Sequence, residues 1–287
     1  MKIAISTIMF NKRSIQEAIK LAKQIGYDGV EIWGREPHIS YNTPIERVRE
    51  IRNMLDFYEL EIPNIASYIG NFSTISDKEC NMEYEKLYNY MDIMEILKCG
   101  IIRVWVGGPN TFLANSYHYE KAMFWIDKCA ELAKKNNKKI ALEIHNGSLI
   151  ETVESANRFI KDLNRGNVGL IHDAGNMYIT DTDYGGGSIE ALGDNIFHVH
   201  IKDELRVDSD SLSGAFRDRT MYGDEIFQHK LLGQGAVDYF LVFKALIKQK
   251  YEGFVSAESL APIEDIKKAE HELNEIKEQI DMADDIA

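Results

Sequence analysis

Four short stretches of the chain end in residues that bind divalent ions or move protons: KIALEIH (139–145), VGLIHD (168–173), FHVHIKD (197–203) and GFVSAES (253–259). In each, an apolar run breaks into polar residues, as a buried strand does where it reaches the rim of a sheet. Glu143, Asp173, His200 and Glu258 stand at those ends. Singly, each has an ordinary explanation: a strand-end acid commonly caps the next helix, and a strand histidine commonly packs in the core. Four in register on successive strands are better explained by one shared ion. Three carboxylates and an imidazole suit a single divalent metal, Mn²⁺ first and then Mg²⁺, Co²⁺ or Zn²⁺, rather than a thiolate-loving one. The period of two in FHVHIKD puts His198 and His200 on one face with His200 nearer the rim. His200 is therefore read as the ligand and His198 as a core or supporting residue.

Strands able to present these ends recur along the chain. Candidates at 2–6, 30–33, 62–68, 101–106, 139–144, 168–172, 196–201 and 253–257 alternate with segments of helical period, as repeated βα units around a parallel sheet do. Eight such units predict a (β/α)8 TIM barrel, whose active site lies at the carboxyl ends of the strands. Helix ends are marked by the capping-box spacing of SIQE (14–17) and by Gly26 and Gly100 after periodic segments. The helix after strand six is expected to be short, because DTDYGGGSIEALGDN is mostly turn-forming. The polar stretch 203–230 reads as a long loop after strand seven, a lid or excursion. Residues 265–287 read as an extra charged C-terminal helix. With 287 residues and no linker rich in Pro, Gly or Ser, a single domain over 1–287 is expected.

A formal net charge of −13 repels nucleic acid, and no apolar run approaches the roughly 20 residues that span a bilayer. Cys80, Cys99 and Cys129 are odd in number and lack metal or disulfide spacing, which fits a reducing cytoplasm. The opening MKIAIS is read as a first strand rather than a leader.

The series GYDGVEIW, ALEIH, VGLIHDAGN, HVHIKD, LLGQGAVDY and YEGFVSAES resembles the sugar phosphate isomerase/epimerase superfamily of xylose isomerase-like TIM barrels over nearly the whole chain. The nearest motifs are those of ketose and pentulose-phosphate 3-epimerases. The resemblance implies a metal held by Glu143, Asp173, His200 and Glu258, the same four residues, with Glu143 and Glu258 also acting as a catalytic acid/base pair. It further implies that Arg206, six residues beyond His200, contacts the substrate. Ketohexose 3-epimerases carry a histidine three residues after the metal-binding aspartate, where this chain has Asn176. Asparagine can hydrogen-bond a hydroxyl but cannot shuttle a proton. The D-x-G-N form more closely resembles that of the epimerases of phosphorylated pentuloses, and so favours a sugar phosphate.

Other residues are read with less support. Lys202, Arg217 and Arg219 are the cations available to a phosphate, although charges in a polar stretch are usually just solvated. His145 orients Glu143, touches substrate or packs at the rim. Trp33, Trp105 and Tyr68 line a sugar pocket or fill core. Glu31 is set aside as lying across the barrel. The activity expected is a metal-dependent isomerisation or epimerisation of a sugar or sugar phosphate through an enediolate. The alternative is dehydration of a keto-inositol. An abasic-site endonuclease is opposed by the charge and by a total of eight histidines, and a non-catalytic sugar sensor by the paired carboxylates. The expected partners are the small-molecule substrate and further copies of the chain in a dimer or tetramer, with neither nucleic acid nor membrane.

Overall fold

The computed structural model describes residues 1–285. Eight parallel strands close into a barrel: β1 (Lys2–Ser6), β2 (Gly29–Trp33), β3 (Ile65–Ala66), β4 (Ile101–Val104), β5 (Lys139–Glu143), β6 (Val168–Asp173), β7 (Ile196–Ile201) and β11 (Phe254–Ala257). Outside them run α1 (Ile15–Ile25), α2 (Ile45–Tyr58), α3 (Asp77–Leu97), α4 (Ser116–Lys135), α5 (Val153–Leu163), α6 (Ala174–Ile179), α7 (Gly186–Leu192), α8 (Tyr239–Lys248) and α9 (Asp265–Asp284). The (β/α)8 barrel expectation holds.

Local chemistry explains the boundaries. Ser14 and Glu17 form a reciprocal capping box at the start of α1, and Gly26 ends it in the left-handed conformation. The buried positions Ile15, Ala18, Ile19 and Ala22 follow helical spacing and turn one face to the barrel. Burying each large side chain there contributes about 1.5–3 kcal/mol. Strand register then sets the site. Asp173 pairs with His200 across β6 and β7, and His200 pairs with Ser256 across β7 and β11. Ends on adjacent strands thus come level at one rim.

Two expectations change. Strand three is only the two residues of β3, with Ile62 and Tyr68 outside it. The helical segment after β6 is short, as expected: α6 has six residues and α7 seven, with Ile189 and Leu192 of α7 buried. The polar stretch after β7 is not a loop: β8 (Asp203–Val207), β9 (Ala215–Thr220) and β10 (Gly223–Lys230) form an antiparallel sheet in the order β8-β10-β9. Among its charged side chains stand Phe216 and Phe227, whose rings lie 5.9 Å apart. The C-terminal helix ends at Asp284, and the last two residues of the expected 265–287 segment lie outside the described residues. Among the described residues, no helix is long and apolar enough to cross a membrane.

The added sheet is fastened over the barrel mouth. Asn110, after β4, donates its amide to the Arg219 carbonyl at 3.0 Å, and Asn146, after β5, donates to the Asp218 carboxylate. At its base, the Asp203 carboxylate accepts the backbone N–H groups of Gly233, Gly235, Val237 and Glu204 at 2.9–3.1 Å. A Cβ on Gly235 would stand 2.2 Å from Asp203 Oδ1, so this loop needs glycine to approach its anchor.

Candidate metal centre

Glu143, Asp173, His200 and Glu258 converge: one ligand atom from each lies within 4.8 Å of all the others, and all four residues are buried. His200 is the hub. Its Nδ1 is 3.2 Å from Glu143 Oε1, 3.3 Å from Glu258 Oε2 and 3.6 Å from Asp173 Oδ2. Three carboxylates this close repel one another and persist only with compensating positive charge.

The Arg103 guanidinium supplies part of it, 2.6 Å from Glu143 Oε2, while also donating to the Ser67 carbonyl. Burial would raise the pKa of Glu143, but Arg103 and His200 outweigh it and hold the carboxyl well below its ordinary value. Lys202 Nζ lies 2.8 Å from Asp173 Oδ2 and 3.7 Å from Glu258 Oε2. Burial disfavours its charge, yet Asp173, Glu258 and Glu143 keep the ammonium well above its ordinary pKa. Gly175 makes room for it, since a Cβ there would meet the Lys202 side chain at 2.6 Å.

Asp173 shows that its two readings from sequence are compatible. Oδ1 caps α6 by accepting the Asn176 N–H at 2.9 Å. Oδ2 is buried, and the Lys202 ammonium 2.8 Å away is its nearest cation. A carboxylate oxygen so placed, beside two other carboxylates and an imidazole, fits a divalent ion of oxygen and nitrogen preference.

The remaining expected residues divide. Asn176 donates its amide to Glu143 Oε1 at 3.1 Å and so fixes a carboxylate of the cluster. His145 lies at the rim with its ring against the edge of Trp105, centroids 4.4 Å apart, and its Nδ1 is 2.7 Å from the Asn146 carbonyl. Trp33 donates its indole N–H to the Tyr68 hydroxyl at 3.0 Å. Arg103 and Arg35 both lie against the Tyr68 ring, so these aromatics stand beside the cluster rather than in it. Arg206 is engaged elsewhere, its guanidinium bonded to Asp181 at 2.8 Å and Glu225 at 3.1 Å. Arg217 pairs with Asp210 and Arg219 with Asp224 on the added sheet.

Two central residues were not among the expected ones. Arg103 stands in IIRVW and Glu31 in GVEIW, each a lone charge inside an apolar strand, and that mismatch was the available signal. Glu31 stands outside the four-residue cluster but bonds the imidazole at its centre. Strand β2 does lie across the barrel, but the carboxylate reaches the interior, 2.6 Å from His198 Nε2 and 3.0 Å from His200 Nε2. A separate cavity of about 600 Å³ lies between the starts of α4 and α5, away from this cluster.

Comparison with known proteins places the chain. A family model described as a xylose isomerase-like TIM barrel matches residues 19–285. The chain belongs to that family. The inosose dehydratase of Lactiplantibacillus plantarum is 28% identical over 163 residues, 52% of this chain and 51% of that protein. Thus the chain spans about half the length of that relative. The 3-dehydroshikimate dehydratase of Bacillus anthracis is 24% identical over 208 residues, 70% of this chain and 71% of the relative. Among solved structures, the IOLI protein with a binding zinc atom superposes with a TM-score of 0.79 at 17% identity over 99% of both chains, a likeness of fold.

These relatives overturn the expected isomerase or epimerase activity, for they are dehydratases. The physical reason is that the ligand motifs report how a carbon acid next to a carbonyl is activated. They do not report whether the resulting carbanion is reprotonated or expels a neighbouring hydroxyl.

Proposed function

We propose that the protein is a divalent-metal-dependent dehydratase acting on a cyclic ketone that carries a hydroxyl on the β carbon and a hydrogen on the α carbon. The convergence of Glu143, Asp173, His200 and Glu258 with Lys202 at one rim carries this reading, and the dehydratase relatives support it. Those four residues would hold the ion, which when bound would act as a Lewis acid on the ketone oxygen and acidify the neighbouring C–H.

The proton work falls to residues beside the ligands. Glu143 Oε2 accepts from Arg103 and Oε1 accepts the Asn176 amide, which holds the carboxylate in its ionised form. This reading therefore keeps Glu143 and Glu258 as ligands. His145 donates Nδ1–H to the Asn146 carbonyl, leaving Nε2 with a free lone pair to take the α proton. The electron pair left behind forms the C=C bond as the β C–O bond breaks. Lys202 gives a proton to the departing hydroxyl, and one water is lost. Asn176, Trp33, Trp105 and Tyr68 shape the approach, and Arg206 ties the added sheet to the turn after α6 through Asp181, an arrangement that does not call for a phosphate.

The test is to incubate the Mn²⁺-, Co²⁺- or Zn²⁺-loaded protein with an inosose and with 3-dehydroshikimate, following proton NMR and the absorbance of a conjugated product. Loss of water from either substrate, abolished by chelation, is expected. Epimer interconversion without water loss, or no turnover of either substrate by protein with bound metal, would sink the proposal.

A further inference from the structure

We infer that Glu31 is a positioning residue of the metal centre: by accepting Nε2–H of His200, it fixes the tautomer that turns the Nδ1 lone pair toward Glu143, Asp173 and Glu258. The inference rests on the metal-centre reading but not on which reaction the centre performs.

Glu31 is fully buried in β2, and each of its oxygens meets one imidazole of β7. A buried carboxylate keeps its charge only when paired, and an ionised carboxylate can only accept hydrogen bonds. Both Nε2 atoms must therefore carry the protons. For His200, that assignment leaves Nδ1 as the nitrogen that gives up its proton when an ion binds, the atom that faces the three carboxylates at 3.2–3.6 Å.

His198 completes the arrangement. Its Nε2 also lies 2.9 Å from Ser256 Oγ, and its ring stands edge-on to His200 with centroids 5.3 Å apart. His198 thus holds Glu31, and Glu31 holds His200, in a row from β7 to β2 and back. A carboxylate behind a metal-binding imidazole raises its basicity and fixes its rotation, and losing such a partner costs about 10–100-fold in metal affinity. Glu31, His198 and His200 are also close enough to bind an ion themselves, a rival arrangement with a different stoichiometry.

The first arm needs no mutation. Ring ¹⁵N–¹H NMR of the Zn²⁺-loaded protein should show a slowly exchanging proton on His200 Nε2 and a metal-shifted Nδ1, with one ion per chain by elemental analysis. In the second arm, E31Q presents an amide N–H₂ to one imidazole and forces it to turn or change tautomer. Affinity for Zn²⁺ or Co²⁺, measured by competition with a chromogenic chelator, should fall about 10–100-fold. The Co²⁺ visible spectrum should also change, while the far-UV circular dichroism does not. E31D, shorter by one methylene but still charged, should fall between the two.

Zinc on Nε2, two ions per chain, or E31Q with native affinity and an unaltered His200 tautomer would each overturn the inference alone. A chain that binds no divalent ion would overturn the metal centre itself, and this inference with it. If E31Q fails to fold, the wild-type spectrum still decides.

Discussion

His145 separates metal binding from chemistry at the scale of a single residue. It stands two positions beyond Glu143, yet its Nδ1 is spent on the Asn146 carbonyl and its ring packs on Trp105. Removing it should leave the ion in place. We predict that H145Q binds Zn²⁺ or Co²⁺ as tightly as the wild type but loses about 10²–10⁴ in kcat, the usual worth of a positioned general base. Isothermal titration of the metal and steady-state kinetics on the same preparation would check this. Loss of metal affinity together with rate would instead make His145 part of the ion's support. Which residues gather at the rim was legible from strand ends alone. The charges inside strands were not, because Glu31 and Arg103 contradict the rule that a barrel interior is apolar and explain themselves only once their partners on β5 and β7 are known.

At the scale of elements, α9 is more than a charged appendage. Glu272 is fully buried on it; one oxygen accepts the Leu232 N–H at 3.3 Å, and the other has no partner. Around it lie Lys268 and His271 of the same helix, with Ser259 and Asp203 beyond; the Lys268 ammonium bonds the Ala261 carbonyl, and His271 Nε2 bonds the Leu232 carbonyl. Burial raises the Glu272 pKa to about 7 from an ordinary 4.5. The folded state therefore holds a proton that the unfolded chain releases near 4.5. The stability from that proton is complete below the lower value and is lost as pH rises through about 7. E272Q cannot ionise, so its advantage over the wild type should grow from roughly nothing at low pH to about 3 kcal/mol above neutrality. Melting curves of both proteins across that range would show it, and a pH-independent difference would refute it. The alternating β strands and helices of the barrel were readable because their periodicity is local. The sheet after β7 was not, since AFRDRT and GDEIFQHK carry so many charges that only Phe216 and Phe227 betray a packed face.

For the whole molecule, three mutually repelling carboxylates at one rim tie folding to the ion. Metal bound only by the native state at 100 times its Kd would add about 2.7 kcal/mol, which for a chain of this size raises Tm by several degrees. Calorimetry with and without a chelator should show that shift in wild type and lose it in a D173A/E258A double variant. An unchanged Tm in the wild type would mean that native and unfolded chains hold the ion alike. Most of this machinery hangs on one run. From Phe197 to Glu204 the chain passes from β7 into β8 with only Lys202 between, and carries in turn His198, His200, Lys202 and Asp203. Successive side chains of an extended chain face opposite ways, so the even-numbered members serve the barrel interior while Asp203 turns away to hold the 233–237 loop. Inserting or deleting one residue here would exchange the two faces at a stroke, removing the ligand, the cation and the anchor together. This segment should accept changes of identity far more readily than changes of length.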